Sequence, residues 1–296
     1  METGAIQLES VPGPVDVEST LESGHSYLWW RADDRTYDRL GAHGGDAWYR
    51  TVAHGEVIEA RQTERAIEWR STTDADPLLR ELLGLHDDLD EIRETAPKDA
   101  PVRAAYDAYP GMRIVRDPFF GCLVSFICSA QMRVERIFGM QERLREHYGE
   151  PVEFDDETYY AFPEPTALAA ATEQELRDHK LGYRAPYVQQ TAELVASGDL
   201  TVDDIRGQDY ESARDACTGF VGVGDKVADC VLLFSLGYLE AVPLDTWIRT
   251  AIDRYYPECD VGNYAGTSRA IRQRLNGEYA GYHQTYLFHY LRSTTE

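Results

Sequence analysis

Hydrophobic and polar positions change their spacing along the chain, and the change divides it in two. Between residues 27 and 70 the apolar residues fall in short runs: Tyr27-Leu28-Trp29-Trp30-Arg31, Trp48-Tyr49-Arg50-Thr51-Val52, Glu56-Val57-Ile58-Glu59-Ala60 and Ala66-Ile67-Glu68-Trp69-Arg70. Runs this short and this rich in aromatic and branched side chains suit a pleated surface. Gly44-Gly45-Asp46 and His54-Gly55 supply turns between them. The pattern predicts a small antiparallel sheet, with four of the five tryptophans in its core. From Pro77 onward the period lengthens to that of a helix, first in Leu78, Leu79, Leu82 and Leu83 and later from Leu168 to Leu176, after a break at Pro163 and Pro165. Asp87 to Lys98 is polar and charged and reads as the connection between the two parts. There are no internal repeats. The expected class is α+β, with an N-terminal antiparallel sheet domain carrying short helices over residues 1–100 and a mainly helical domain over 101–296.

Within the helical part, Val221-Gly222-Val223-Gly224-Asp225-Lys226 interrupts two helical patterns. Tyr210 to Thr218 is a short amphipathic stretch, and the apolar stretch after Lys226 runs to about Gly237. Two glycines one residue apart allow a tight turn and can present N–H groups to an anion at a helix N-terminus. A dinucleotide fingerprint would need a third glycine at Val227, and a Walker loop would need Gly-Lys-Ser/Thr, so both are excluded. On the hairpin alone, a turn between two core helices with a surface lysine after it remains open.

The choice of cation narrows this. Lys98, Lys180 and Lys226 are the only lysines in a chain with abundant arginine. Arginine stays protonated, whereas a partly desolvated lysine can lose its proton and attack carbon to form a Schiff base. Asp245, in Pro243-Leu244-Asp245, could face that amine. A helix of thirteen residues carries the chain roughly 20 Å away, and about seven extended residues can return roughly 23 Å. Asp245 also precedes Thr246 to Ile252 as a helix N-cap, a role compatible with the first.

Phe220 to Asp245 resembles the catalytic hairpin of the helix-hairpin-helix DNA glycosylases, and among them the eukaryotic-type 8-oxoguanine DNA glycosylases. Ser23-Gly24-His25-Ser26-Tyr27, Ser125-Phe126-Ile127-Cys128-Ser129, Arg136-Ile137, Gly139-Met140, Leu181-Gly182-Tyr183-Arg184-Ala185 and Tyr279-Ala280-Gly281 resemble that family in the same order. The resemblance implies a two-lobed helical domain with the cleft between the lobes, and a bifunctional glycosylase and AP lyase that flips an oxidised purine out of duplex DNA. Lys226 would attack the glycosidic carbon and Asp245 would stabilise the developing positive charge. Gly24, Cys230, Gln284 and Phe288 would hold the flipped base. Gln131, Arg136, Tyr183, Arg184, Gly222, Val223 and Gly224 would contact DNA, with Tyr183 as a wedge and Arg136 and Arg184 on the unpaired cytosine. The chain departs from the family where Gln131-Met132-Arg133 replaces an asparagine triplet and where Trp247 stands in place of a histidine, which puts opposite-base selectivity in doubt. An alkylated-base glycosylase of the 3-methyladenine type would need Asp245 but not Lys226. A non-catalytic helix-hairpin-helix binder of damaged DNA would need neither together.

Composition modifies this picture in one respect. The net charge of −23 runs against the usual basic footprint of a DNA-binding protein. Acids spread along the chain with hardly any lysine resemble the surfaces of proteins from a salt-rich, halophilic cytoplasm, where a Debye length of about 3 Å at molar salt erases long-range repulsion. Arg113, Arg116, Arg133, Arg136, Arg143 and Arg145 form a local excess of positive charge, readable as a DNA face or as a solvated helix face. Five cysteines in apolar contexts read as reduced, buried thiols, and their spacing does not suit an iron–sulfur cluster. No metal or other cofactor is expected. Without an apolar run of 18 residues or a signal-like N-terminus, the chain is expected to be a soluble cytoplasmic monomer acting on double-stranded DNA, with no membrane partner.

Overall fold

The computed structural model describes residues 1–37 and 47–295, so the predicted turn at Gly44-Gly45-Asp46 lies outside the described residues. Strands β1 (Glu2–Gln7), β2 (Trp30–Arg31), β3 (Tyr49–Ala53), β4 (Glu56–Gln62) and β5 (Ala66–Ser71) form one antiparallel sheet in the order β1-β5-β4-β3-β2. His54 and Gly55, with φ of 54° and 81°, make the left-handed pair that a tight β3–β4 hairpin requires. The predicted first run shrinks to the two residues of β2. Strand β1 has no counterpart in the pattern. Its Gly4 leaves the room that the Trp69 indole occupies, which any Cβ would invade.

Trp29 and Trp69 are buried, but Trp30 and Trp48 are only partly covered. Their faces carry arginines instead: Arg145 stands 3.6 Å from the Trp30 ring centroid, and Arg70 and Arg61 stand 4.2 and 4.8 Å from that of Trp48. A second hairpin, β6 (Pro151–Phe154) with β7 (Glu157–Tyr160), packs Phe154 and Tyr159 on Val52 and Val57 and so covers the sheet face turned away from the main core. The sequence pattern did not mark it, because the segment is short and rich in charge.

Fourteen α-helices are present among the described residues, and the apolar faces of most of them merge with the other sheet face in one core that runs from Ile6 to Leu291. The polar stretch from Asp87 to Lys98 is not an extended connection. It holds the helix Leu89–Thr95, capped by Asp88 and anchored by buried Leu89 and Ile92. Arg113 is fully buried and donates to the carbonyls of Pro12, Pro14, Gly84 and Asp87 at 2.6, 3.1, 3.0 and 2.9 Å, tying the sheet region to the helices. Arg116 pairs with Asp87 at 3.0 Å. Much of the local arginine excess is therefore scaffold, and within that set Arg133 and Arg136 are the exposed members. No helix among the described residues is long and apolar enough to cross a membrane.

Candidate active site

The helix Tyr210–Cys217 ends at Thr218, and the chain turns through Gly222 (φ 81°) and Gly224 into the helix Asp225–Phe234. That second helix stops at Phe234, three residues short of Gly237. A side chain at Gly222 would run into Tyr187 at 2.7 Å, so both the positive φ and the close approach require glycine. Thr191, on the neighbouring helix Ala185–Ser197, donates 2.9 Å to the Val221 carbonyl and pins the hairpin. Gly222 and Gly224 are exposed, while Val223 is buried.

Lys226 occupies the first turn after the hairpin and is half-buried. Its Nζ donates to Ser129 Oγ at 2.9 Å and stands 5.6 Å from the Phe126 ring centroid. The Ser129 hydroxyl itself donates to the Phe126 carbonyl at 2.7 Å, which leaves its lone pairs facing the amine. Ser129 is a contact that the sequence reading missed, although it closes the quoted stretch Ser125 to Ser129. Cys230 is one turn along the same helix. Burial pushes its thiol up to about 12, against a smaller opposing effect of the Lys226 charge, so it is a neutral wall and not a thiolate.

Asp245 caps the helix Thr246–Tyr255 by accepting from the Ile248 N–H at 2.8 Å. Burial raises its carboxyl above the ordinary 3.8, partly offset by the Ile248 N–H and the Lys226 charge. Lys226 and Asp245 line one cleft of about 930 Å³, and Gly24, Gln131, Cys230, Gln284 and Phe288 line it with them. That volume takes a nucleobase and its sugar. The Gly24 carbonyl accepts from the Tyr27 hydroxyl at 3.0 Å and retains a second lone pair. Gln284 donates to Thr285 at 2.7 Å. His25, Trp247, Arg249 and Arg292 also line the cleft and were not singled out from the sequence as site residues.

The remaining residues lie outside the cleft. Gln131 links the two settings: it sits in the loop after the helix Phe119–Cys128, exposed, with a φ of 55° that few side chains adopt. Tyr183 is 49 % exposed on a neighbouring turn. Arg184 is buried, lies 4.3 Å from the Tyr183 ring centroid and donates to the Ala130 carbonyl, bracing the loop that carries Gln131. Arg136 is exposed on the helix Val134–Tyr148.

A helix-hairpin-helix that delivers a lysine into a cleft opposite a helix-capping aspartate defines a class of DNA repair protein. The chain belongs to the HhH-GPD superfamily of base excision DNA repair proteins, whose family model matches residues 124–276. It is 32 % identical over 216 residues to a probable N-glycosylase/DNA lyase of Methanothermobacter thermautotrophicus, covering 66 % of this chain and 68 % of that protein. It is 30 % identical over 191 residues to the N-glycosylase/DNA lyase OGG1 of Arabidopsis thaliana, covering 60 % of this chain and about half (51 %) of the relative. Among solved structures, MBOgg1 in complex with a low-affinity DNA ligand superposes with a TM-score of 0.85 at 26 % identity over 100 % of both chains. The apo form of Clostridium acetobutylicum 8-oxoguanine glycosylase/lyase gives 0.82 at 26 % identity, over 94 % of this chain and 93 % of that one.

Proposed function

We propose that the chain is a bifunctional DNA glycosylase and AP lyase that excises 8-oxoguanine from duplex DNA through a lysine Schiff base. The observation that carries this reading is the meeting of Lys226 and Asp245 in a cleft of base-and-sugar size, beside Gly24, Cys230, Gln284 and Phe288. The chain's likeness to two N-glycosylase/DNA lyases and to an 8-oxoguanine glycosylase/lyase points the same way.

In this reading Gly222, Val223 and Gly224 hold backbone phosphates, Tyr183 enters the stack, and Gln131 and Arg136 attend to the base left behind, while Arg184, expected from the sequence to touch that base, is buried and acts instead by holding the Gln131 loop. The lesion is flipped into the cleft, between Cys230 and Phe288. The base leaves C1′ with the bonding electron pair, the Asp245 carboxylate stabilises the positive charge that develops on the sugar as it goes, and the Lys226 nitrogen lone pair closes on C1′ to form the new bond. Opening of the sugar ring gives a Schiff base. Loss of a proton from C2′ then expels the 3′ phosphate by β-elimination. Ser129 holds the amine in place by accepting one of its N–H bonds. Residues 1–100 supply the Gly24 wall of the cleft and residues 101–296 the chemistry. We read the protein as a monomer, and its acid-rich surface as that of a protein from a salt-rich cytoplasm.

The test is borohydride trapping at high salt on duplexes bearing 8-oxoguanine or 3-methyladenine. A covalent adduct with the 8-oxoguanine duplex, lost in Lys226→Gln, is expected. Base release without any adduct would overturn the Schiff base and favour an alkylated-base glycosylase; binding without release would favour a damage sensor. Varying the base opposite the lesion tests Gln131, Arg136 and Arg184, for which cytosine is expected to be preferred.

A further inference from the structure

Arg292 lies one helical turn beyond Phe288 on the helix Ala280–Thr295 and lines the same cleft. Its guanidinium carbon is 5.4 Å from the Phe288 ring centroid, and its Nη2 donates 3.1 Å to the Glu22 carbonyl. Its Nη1 is buried and finds no acceptor among the described residues. The same nitrogen fills the space that a Cβ on Gly24 would take. A permanent cation that lines the cleft therefore holds an unused donor just beneath the Gly24 wall, and a rotation of the guanidinium would bring that donor to a ligand.

The surroundings do not satisfy that donor. His25, on the same wall, is buried and stacked on Phe234 at 5.1 Å. Burial lowers its pKa to about 3, helped by His289 and Arg292, so it adds no second charge. Asp245 senses the Arg292 charge, but its carboxylate already serves the Ile248 N–H. A guanidinium donates and never accepts. A buried donor without a partner is costly, and a ligand that brings an acceptor removes that cost.

Guanine-type and adenine-type purines differ at N1 and C2, and at C6, where one carries a carbonyl acceptor and the other an amino donor. Resting on the reading that the cleft receives a flipped oxidised purine, we propose that Arg292 is a specificity-determining residue whose Nη1 donates to the C6 carbonyl oxygen, selecting 6-oxo over 6-amino lesions. An amino group in that place would leave two donors facing each other, which sites of this kind reject strongly.

Single-turnover excision of 8-oxoguanine, of 8-oxohypoxanthine, which keeps the 6-oxo group but lacks the 2-amino group, and of 8-oxoadenine tests this in the native protein, Arg292→Met and Arg292→Lys, with 8-oxohypoxanthine expected to follow 8-oxoguanine. The methionine variant is expected to lose about ten- to a hundredfold on 8-oxoguanine, as for a lost charge-assisted hydrogen bond, and less than threefold, roughly, on 8-oxoadenine. The lysine variant, still a donor but without the planar fork, should fall between. Thermal melting reports folding, and if the methionine variant does not fold the lysine variant alone decides by its ratio. Equal losses on 8-oxoguanine and 8-oxoadenine, or no loss on 8-oxoguanine, would overturn the proposal. A native protein that excised none of these lesions would overturn the reading beneath it; native excision with an unmoved ratio would overturn the arginine alone.

Discussion

The two walls of the cleft are made differently. The reactive wall comes from one stretch of chain, residues 221–245, in which a hairpin, a lysine and a capping aspartate follow one another. The base-holding wall joins Gly24 and His25 to Gln284, Phe288 and Arg292, segments some 260 residues apart in the chain. A local wall can keep its chemistry when the distant one is damaged. The reverse does not hold, because excision needs both. Cleavage at an abasic site, which has no base to hold, isolates the reactive wall.

The largest effect should follow from Lys226→Gln, which is expected to abolish the trapped adduct and to lower both excision and abasic-site cleavage by a factor on the order of 10⁴ or more. Asp245→Asn should lower excision by about 10²–10³ while changing stability by less than about 1 kcal/mol, since asparagine caps a helix as well as aspartate. In the native protein the carboxylate is raised above 3.8 by burial, so activity should fall as pH drops through that raised value; a pH–rate profile of the asparagine variant should lack this acid limb. Gly24→Ala places a methyl group on Arg292 Nη1 and on Val134 at 2.9 Å, at a φ of 94°. It is expected to cost about 1–2 kcal/mol in stability and to slow 8-oxoguanine excision by tenfold or more, roughly as one lost base contact would. Abasic-site cleavage should stay near native, and an equal loss in both would show that the walls are not separable. Ser129→Ala removes the neutral acceptor of the Lys226 amine and should slow both reactions by only about three- to tenfold.

The same contrast explains what the sequence made legible. Hairpin, nucleophile and the capping Asp245 are local, and turn chemistry and helical spacing report local order; Cys230 is local too, one turn on, but its role at the base came from the family resemblance. The base wall depends on where the last described helix docks, which no period records, so Gly24, Gln284 and Phe288 came from the family resemblance. Arg292 and Ser129 escaped even that, because a surface arginine and a serine at a helix end are ordinary until the fold brings a partner to each. In the sheet, the β3–β5 runs stood out by their branched and aromatic residues. Strand β1 did not, since its Gly4 is chosen for the ring of Trp69 and not for strand propensity. Arg113 gave the wrong impression for a related reason: charge in a sequence suggests solvent or a ligand, and here it makes six hydrogen bonds to backbone carbonyls in the core.

All five cysteines are buried and free. Burial lifts every one of their thiols above the ordinary range, Cys128 to about 11 and Cys217 and Cys230 to about 12. Peroxide attacks thiolates that it can reach, and burial keeps these five thiols protonated. A repair enzyme for oxidised bases is needed most while the oxidant that made the lesion is still present, and five neutral, covered thiols are poor targets for that oxidant.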